Sequence, residues 1–317
     1  MPGKEKDRPR TGGWRLGRLG RTDVLVSPSL VLMGIVLVFA AAPWFEDSSD
    51  HPHLLAAVFA VGLYASVFVH ELAHVFTARW YGMEVPTVTL HLLGGETAIE
   101  GESRTAAQEL VTAGSGPVAS ALIGLAGLVA SGTSSGSAGD VLWAFGWVNV
   151  IVAAFNALPG LPLDGGRVFR ALVWQVTGDQ AKGVRWAAWL GRLTAVAVMA
   201  FVLLRDDAFS REHLVDIALA LLIAFFLWTG AGAALRFGRR TAQVQGLSVA
   251  GLVDRTETSG LDLPPDLPSL PLDLAGAPLL RAMAARPADT YVVVDPAGDV
   301  VGLLHARHVD DAYRRNS

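Results

Sequence analysis

Hydrophobic and polar positions fall into long apolar blocks divided by short polar ones. Six blocks are long enough, or nearly so, to cross a bilayer as helices: about Leu25–Trp44, Leu54–Tyr81, Thr105–Ala130, Val141–Leu158, Trp186–Leu204 and Leu214–Leu235. Val85–Glu100 breaks the pattern. Its β-branched run, Thr87-Val88-Thr89-Leu90-His91-Leu92-Leu93, and the pair Gly94-Gly95 predict a short hairpin or re-entrant strand. Thr105-Ala106-Ala107-Gln108 reads as a capping box opening the third helix, and Gly114-Ser115-Gly116-Pro117 within it allows close helix packing. A Ser/Gly-rich loop, 131–139, should separate the third and fourth spans. The fourth is interrupted by Pro159 and Pro162 and leads into Asp164-Gly165-Gly166-Arg167. Arg167–Gln175 then reads as an amphipathic segment at the inner interface. Past Arg240 the pattern is that of a small tail. It has a Pro-rich connector (Pro264, Pro265, Pro268, Pro271), a helix over Leu279–Ala285, and strands Tyr291–Asp295 and Val300–Leu304 around the turn Pro296-Ala297-Gly298-Asp299.

Composition agrees with a membrane chain. Charged residues make up 17% of the 317 positions, against about a quarter in soluble domains, so one large soluble core is excluded. A net charge of −4 argues against nucleic acid as a partner. With no cysteine there are no disulfides and no thiolate ligands, so any zinc must use His, Asp or Glu. Lys4, Lys6, Arg8, Arg10, Arg15, Arg18 and Arg21 form a basic arm rather than a cleavable signal, and such an arm stays inside. Arg79, Arg185, Arg192, Arg236, Arg239 and Arg240 mark further inner ends. The acidic loop Glu46–Asp50 is expected outside, and both termini are expected to be cytoplasmic. The expected organisation is an arm at 1–22, a membrane domain at 23–240 and a cytoplasmic domain at 241–317.

The chemistry sits in the second span, at His70-Glu71-Leu72-Ala73-His74. On a helix the two histidines of H-E-x-x-H lie one turn apart on one face, about 6 Å along the axis, and can share one zinc while the glutamate stays free as a base. Ionisable groups inside a membrane are costly, so three within five residues mark a functional site. His70 lies roughly 15 Å from the inner end of its span. A catalytic zinc needs three protein ligands and one open position. Asp164, where the fourth span breaks on the same inner side, is a better third ligand than His91, His213, His305 or His308. Taken alone, Asp164-Gly165-Gly166 also fits an ordinary turn at the membrane rim.

Two motifs, His70–His74 and Asn156-Ala157-Leu158-Pro159-Gly160-Leu161-Pro162-Leu163-Asp164-Gly165, resemble the site-2 proteases, intramembrane zinc metalloproteases with the second signature N-x-x-P-x-x-x-x-D-G. The resemblance covers about residues 20–240. It implies an α-helical polytopic membrane protein with six transmembrane helices and a short re-entrant β segment. It implies one Zn2+ held by His70, His74 and Asp164, Glu71 as general base, and Asn156 holding or polarising the scissile peptide. Asn149, two turns before Asn156, is expected to pack between helices. The Gly94-Gly95 segment looks like the family's re-entrant loop, with a strand edge at Thr87–Leu93 to receive unwound substrate. The tail, through Tyr291–Asp295, Gly298 and Gly302-Leu303-Leu304, is similar to a cystathionine-β-synthase-type (CBS) domain. Histidines 305 and 308 replace the polar positions that hold a nucleotide ribose there, so a packing or homodimer role is expected instead of nucleotide binding. The implied partners are a single-span membrane protein substrate and the lipid bilayer, in a bacterial-type plasma membrane, with regulated intramembrane proteolysis as the process. An inactive relative that binds client helices, or a membrane metal transporter, would be the alternatives.

Overall fold

The computed structural model describes residues 13–91, 94–100, 103–205, 214–255 and 267–315. Lys4, Lys6, Arg8, Arg10, Leu92, Leu93, His213, Pro264, Pro265 and most of the loop Arg205–Arg211 lie outside the described residues. The chain divides into two compact units, Met1–Ala231 and Gly232–Ser317.

In the first unit, helix α1 (Pro28–Ala41) runs on into a 3-10 turn, Ala42–Ser48. It is followed by α2 (Pro52–Trp80), α3 (Ala106–Thr133), α4 (Ser137–Asn156), the shorter α5 (Asp164–Thr177), α6 (Gln180–Leu203) and α7 (Leu214–Gln245), whose residues after Ala231 belong to the second unit. Six of these elements, all but α5, are long and apolar enough to cross a membrane. Burial is inverted relative to a water-soluble core. Ala41, Ala56, Ala78, Ala113 and Ala188 are enclosed, whereas Ile35, Phe39, Trp80, Leu122 and Phe225 face outward. Small residues permit close helix approach and large apolar ones contact lipid. A Cβ on Gly124 would lie 2.8 Å from Val150 Cγ2, and one on Gly146 2.7 Å from Leu128 N, so the α3–α4 crossing requires both glycines.

Several boundaries differ from expectation. Helix α1 begins at Pro28, not Leu25, because Leu25 and Val26 belong to a strand. The 131–139 loop shrinks to three residues around Gly136, whose φ of +62° suits only glycine. The capping box forms in part: Thr105 Oγ1 accepts from Gln108 N (3.2 Å), but Gln108 Oε1 reaches back to Arg104 N (3.0 Å) rather than to the cap residue itself.

The described part of the N-terminal arm is a hairpin. Strands β1 (Trp14–Leu19) and β2 (Thr22–Val26) are antiparallel, with Arg15 and Arg18 paired to Asp23. They join β3 (Glu84–His91) and β4 (Gly94–Glu100) in one sheet ordered β1-β2-β3-β4. Arg79, near the end of α2, fastens the hairpin by donating to Leu19 O (3.1 Å) and Thr22 Oγ1 (2.7 Å), while Thr22 Oγ1 donates to Val85 O. This overturns the expected receiving edge. Thr87–Leu90 pairs with β2 on one side and β4 on the other, so its backbone groups are taken, and the outer edge on this side belongs to β4.

The second unit contains α8 (Val249–Leu252), β5 (Ser269–Pro271), α9 (Gly276–Ala285), β6 (Thr290–Val294), β7 (Val300–His305) and α10 (Ala306–Arg315). The expected tail helix and strands are all present. The sheet is ordered β5-β6-β7. Leu247, Leu270, Leu279, Tyr291, Val293, Leu304 and Val309 build its core. Tyr291 spends its hydroxyl inside that core, donating toward Arg286 O (3.1 Å) or Met283 O (3.3 Å) and accepting from Ala288 N (3.0 Å).

Candidate active site

Helix α2 carries His70, Glu71 and His74, each no more than 5% exposed. The break after α4 returns Asp164 to them as the first residue of α5. Asp164 Oδ2 lies 3.0 Å from His70 Nε2 and 3.2 Å from His74 Nε2. Among the described residues this trio is the one cluster of three or more His or carboxylate donors able to hold a metal ion. Four-coordinate zinc with ligands about 2.0–2.2 Å away separates neighbouring donor atoms by about 3.3–3.6 Å, slightly more than the two Asp164–histidine separations.

The far side of each imidazole fixes its chemistry. His74 Nδ1 lies 2.7 Å from the carbonyl of Thr112, which can only accept, so Nδ1 carries the hydrogen, and a neutral ring held this way presents its Nε2 lone pair to the site. His70 Nδ1 meets Ser120 Oγ at 2.9 Å, and the hydroxyl oxygen can accept from it in the same way. Two lone pairs and a carboxylate oxygen converging in a buried space repel one another unless a cation lies among them. The donor set therefore fits zinc, with outer partners that fix each ring.

Helix α3 supplies these partners from one face: Thr112, Gly116 and Ser120 are all buried. Gly116 is required there because a Cβ would run into Nε2 of both histidines. Asp164 is placed by a loop with equally little room. Leu161 N donates to Ala187 O (3.0 Å) on α6, Gly160 packs against Gly191, and Pro162 packs against Gly230. Gly165 and Gly166 start α5 where any Cβ would strike the backbone of Ala157 or Gly160. The Asp164-Gly165-Gly166 run is thus a close-packed entry to a helix, not a turn at a rim.

Glu71 stands beside the metal donors and faces β4. Thr97 Oγ1 donates to its Oε2 at 2.6 Å, and a Cβ on Gly95 would overlap its carboxyl. Asn156 ends α4 with its side-chain amide donating to Val152 O (3.1 Å) on its own helix, not to the cluster. Asn149 is 1% exposed and likewise donates to Phe145 O. His91 closes β3 outside the trio. His305 stacks edge-on with His308 in the second unit and meets Thr290 Oγ1 at 3.0 Å.

The sequence motifs did not reveal Ser120 or Thr97, nor a buried charge cluster on α3. Glu109, 2% exposed, accepts from Arg170 Nη2 (2.5 Å), Arg167 Nε (3.2 Å) and Ser103 Oγ (2.7 Å). A glutamate in the third apolar block was the available signal, since an intramembrane carboxylate demands a partner.

Residues 58–138 and 133–201 match the family model for Peptidase family M50. A Synechocystis protein named "Putative zinc metalloprotease" is 37% identical over 187 residues, covering 56% of this chain and 48% of that one. The Mycobacterium tuberculosis protein named "Putative zinc metalloprotease Rip3" is 40% identical over 152 residues, 46% of this chain and 39% of its own. A zinc metalloprotease of Methanocaldococcus jannaschii is 29% identical over 177 residues, 55% and 48% of the two chains. The aligned stretch spans less than half the length of each of these curated relatives. Among solved structures, a site-2 protease from M. jannaschii superposes with a TM-score of 0.51 at 23% identity, covering 71% of this chain and 95% of that one. The chain is thus a multi-pass membrane protein with the site-2 protease fold, matched across its zinc-fitting core by Peptidase family M50.

Proposed function

We propose that this protein is an intramembrane zinc endopeptidase that hydrolyses a peptide bond within or near the span of a membrane-anchored protein, as in regulated intramembrane proteolysis. The observation that carries the reading is the convergence of His70, His74 and Asp164 beside a buried, unligated Glu71. His70, His74 and Asp164 would hold one zinc per chain, which would supply Lewis-acid chemistry when bound. Glu71 takes the proton of the attacking water and delivers it to the amine nitrogen as the C–N bond breaks. Asn156 donates to the substrate carbonyl, which requires its amide to leave Val152 O. A helical substrate hides its carbonyls in hydrogen bonds, so the cleaved segment must be unwound. The outer edge of β4, the strand whose Thr97 contacts Glu71, can hold it as an added strand. The second unit is CBS-like and pairs with its counterpart in a second chain. Both termini face the cytoplasm of a bacterial-type cell.

The test is cleavage of single-span proteins in membranes. Glu71→Gln should slow processing about 10²–10⁴-fold with zinc content unchanged. Processing at the wild-type rate by zinc-loaded Glu71→Gln would refute the assignment.

A further inference from the structure

We infer that Glu109 and Arg167 form a charge balance that sets how strongly Asp164 holds zinc, making Glu109 a positioning residue of the metal site. Glu109, Thr112, Gly116 and Ser120 follow one another at helical spacing on one buried face of α3. The last three touch the histidines; Glu109 instead reaches α5, the helix that Asp164 begins.

Arg167 lies between two carboxylates. Its Nε is 3.2 Å from Glu109 Oε1 and its Nη1 is 3.9 Å from Asp164 Oδ1, while Asp164 Oδ2 faces the histidines. Arg170 adds a second cation on Glu109 Oε1, and its own buried Nε has no partner. Glu109 therefore restrains the Arg167 guanidinium, which would otherwise turn fully to the ligand carboxylate. Without its charge, Arg167 is released toward Asp164 Oδ1 and competes with zinc for the same carboxylate. Groups just outside a metal's ligands commonly change affinity 10–100-fold.

This inference rests on the zinc reading of the site, and its test uses zinc affinity, not proteolysis. The purified full-length chain is titrated with zinc against a chromophoric chelator. Glu109→Gln should raise the zinc Kd about 10–100-fold. The double variant Glu109→Gln/Arg167→Gln should return to within about threefold of wild type, because the released cation is gone; a strut that only packs predicts no such rescue. Arg167→Gln alone keeps Glu109 paired with Arg170 and should bind zinc at least as tightly as wild type. It serves as the test if Glu109→Gln does not fold. Wild-type affinity in Glu109→Gln, absence of rescue in the double variant, or tenfold weaker binding in Arg167→Gln would each overturn the inference. A wild-type chain that binds no zinc would instead overturn the reading of the site on which it stands.

Discussion

Gly116→Ala adds one methyl group where the structure has no room for it. An ideal Cβ there lies 2.5 Å from His70 Nε2 and closer still to His74 Nε2, so at least about 0.9 Å must be found before the contacts reach an ordinary 3.4 Å. The neighbours cannot simply swing away. His70 is tied to Ser120 and His74 to Thr112 from the same helix that carries the new methyl. Overpacking of this kind costs about 1–3 kcal/mol in stability. Its larger effect is on the metal, because a zinc–nitrogen bond of about 2.0–2.1 Å does not survive a ligand shift of that size. Zinc affinity should fall at least about 100-fold, and cleavage with it. Gly114→Ala, two residues away, is the matched control: its nearest atom is Val168 Cγ2 at 3.9 Å, so the substitution should be silent or stabilise α3 by up to about 1 kcal/mol. Zinc titration and a cleavage assay on both variants provide the comparison. Gly116→Ala with wild-type zinc affinity would show that the rings are not pinned as described.

Three further outcomes follow from particular contacts. Gly95→Ala should lower turnover at least about tenfold with zinc content intact, since its Cβ would displace the Glu71 carboxyl and not the metal ligands; metal analysis beside kcat separates the two. Thr97→Val removes the hydroxyl that orients Glu71 Oε2 and should reduce kcat severalfold at unchanged zinc content, with Thr97→Ser restoring it. Tyr291→Phe should destabilise the second unit by about 1 kcal/mol in denaturant unfolding while leaving zinc binding alone, because it strips a partner from the part-buried Ala288 N–H and from the Arg286 carbonyl.

What the sequence could and could not reveal divides along physical lines. His70, Glu71 and His74 were readable because their spacing is a helical repeat and their cost in lipid makes them conspicuous. Asp164 was readable because a broken span must put its free backbone somewhere protected. The third-helix contribution was hidden. Thr112 acts through a backbone carbonyl, Ser120 is one serine among many, and Gly116 acts by having no side chain, so its run looked like helix packing alone. The β1–β2 hairpin was masked by Arg15, Arg18 and Arg21, which made residues 14–22 look like a solvated arm. Its parallel pairing of Asp23–Val26 with Thr87–Leu90 joins segments over sixty residues apart, a register no local pattern encodes. That pairing takes up the β3 edge expected to receive substrate and leaves the outer edge of the sheet on that side to β4. Tail strands Thr290–Val294 and Val300–His305 were legible because a Gly-containing turn separates two short β-branched runs.

The central claim is that one zinc ion sits among His70, His74 and Asp164. X-ray absorption at the zinc edge of the purified full-length chain tests it most directly, with Asp164→Ala measured alongside. The account predicts one zinc per chain in the wild type, with two imidazole nitrogens at about 2.0–2.1 Å and carboxylate oxygen in the first coordination sphere. It predicts loss of that oxygen signal and of most bound zinc in Asp164→Ala. Stoichiometric zinc without imidazole scattering, or an unchanged spectrum and zinc content in Asp164→Ala, would contradict it.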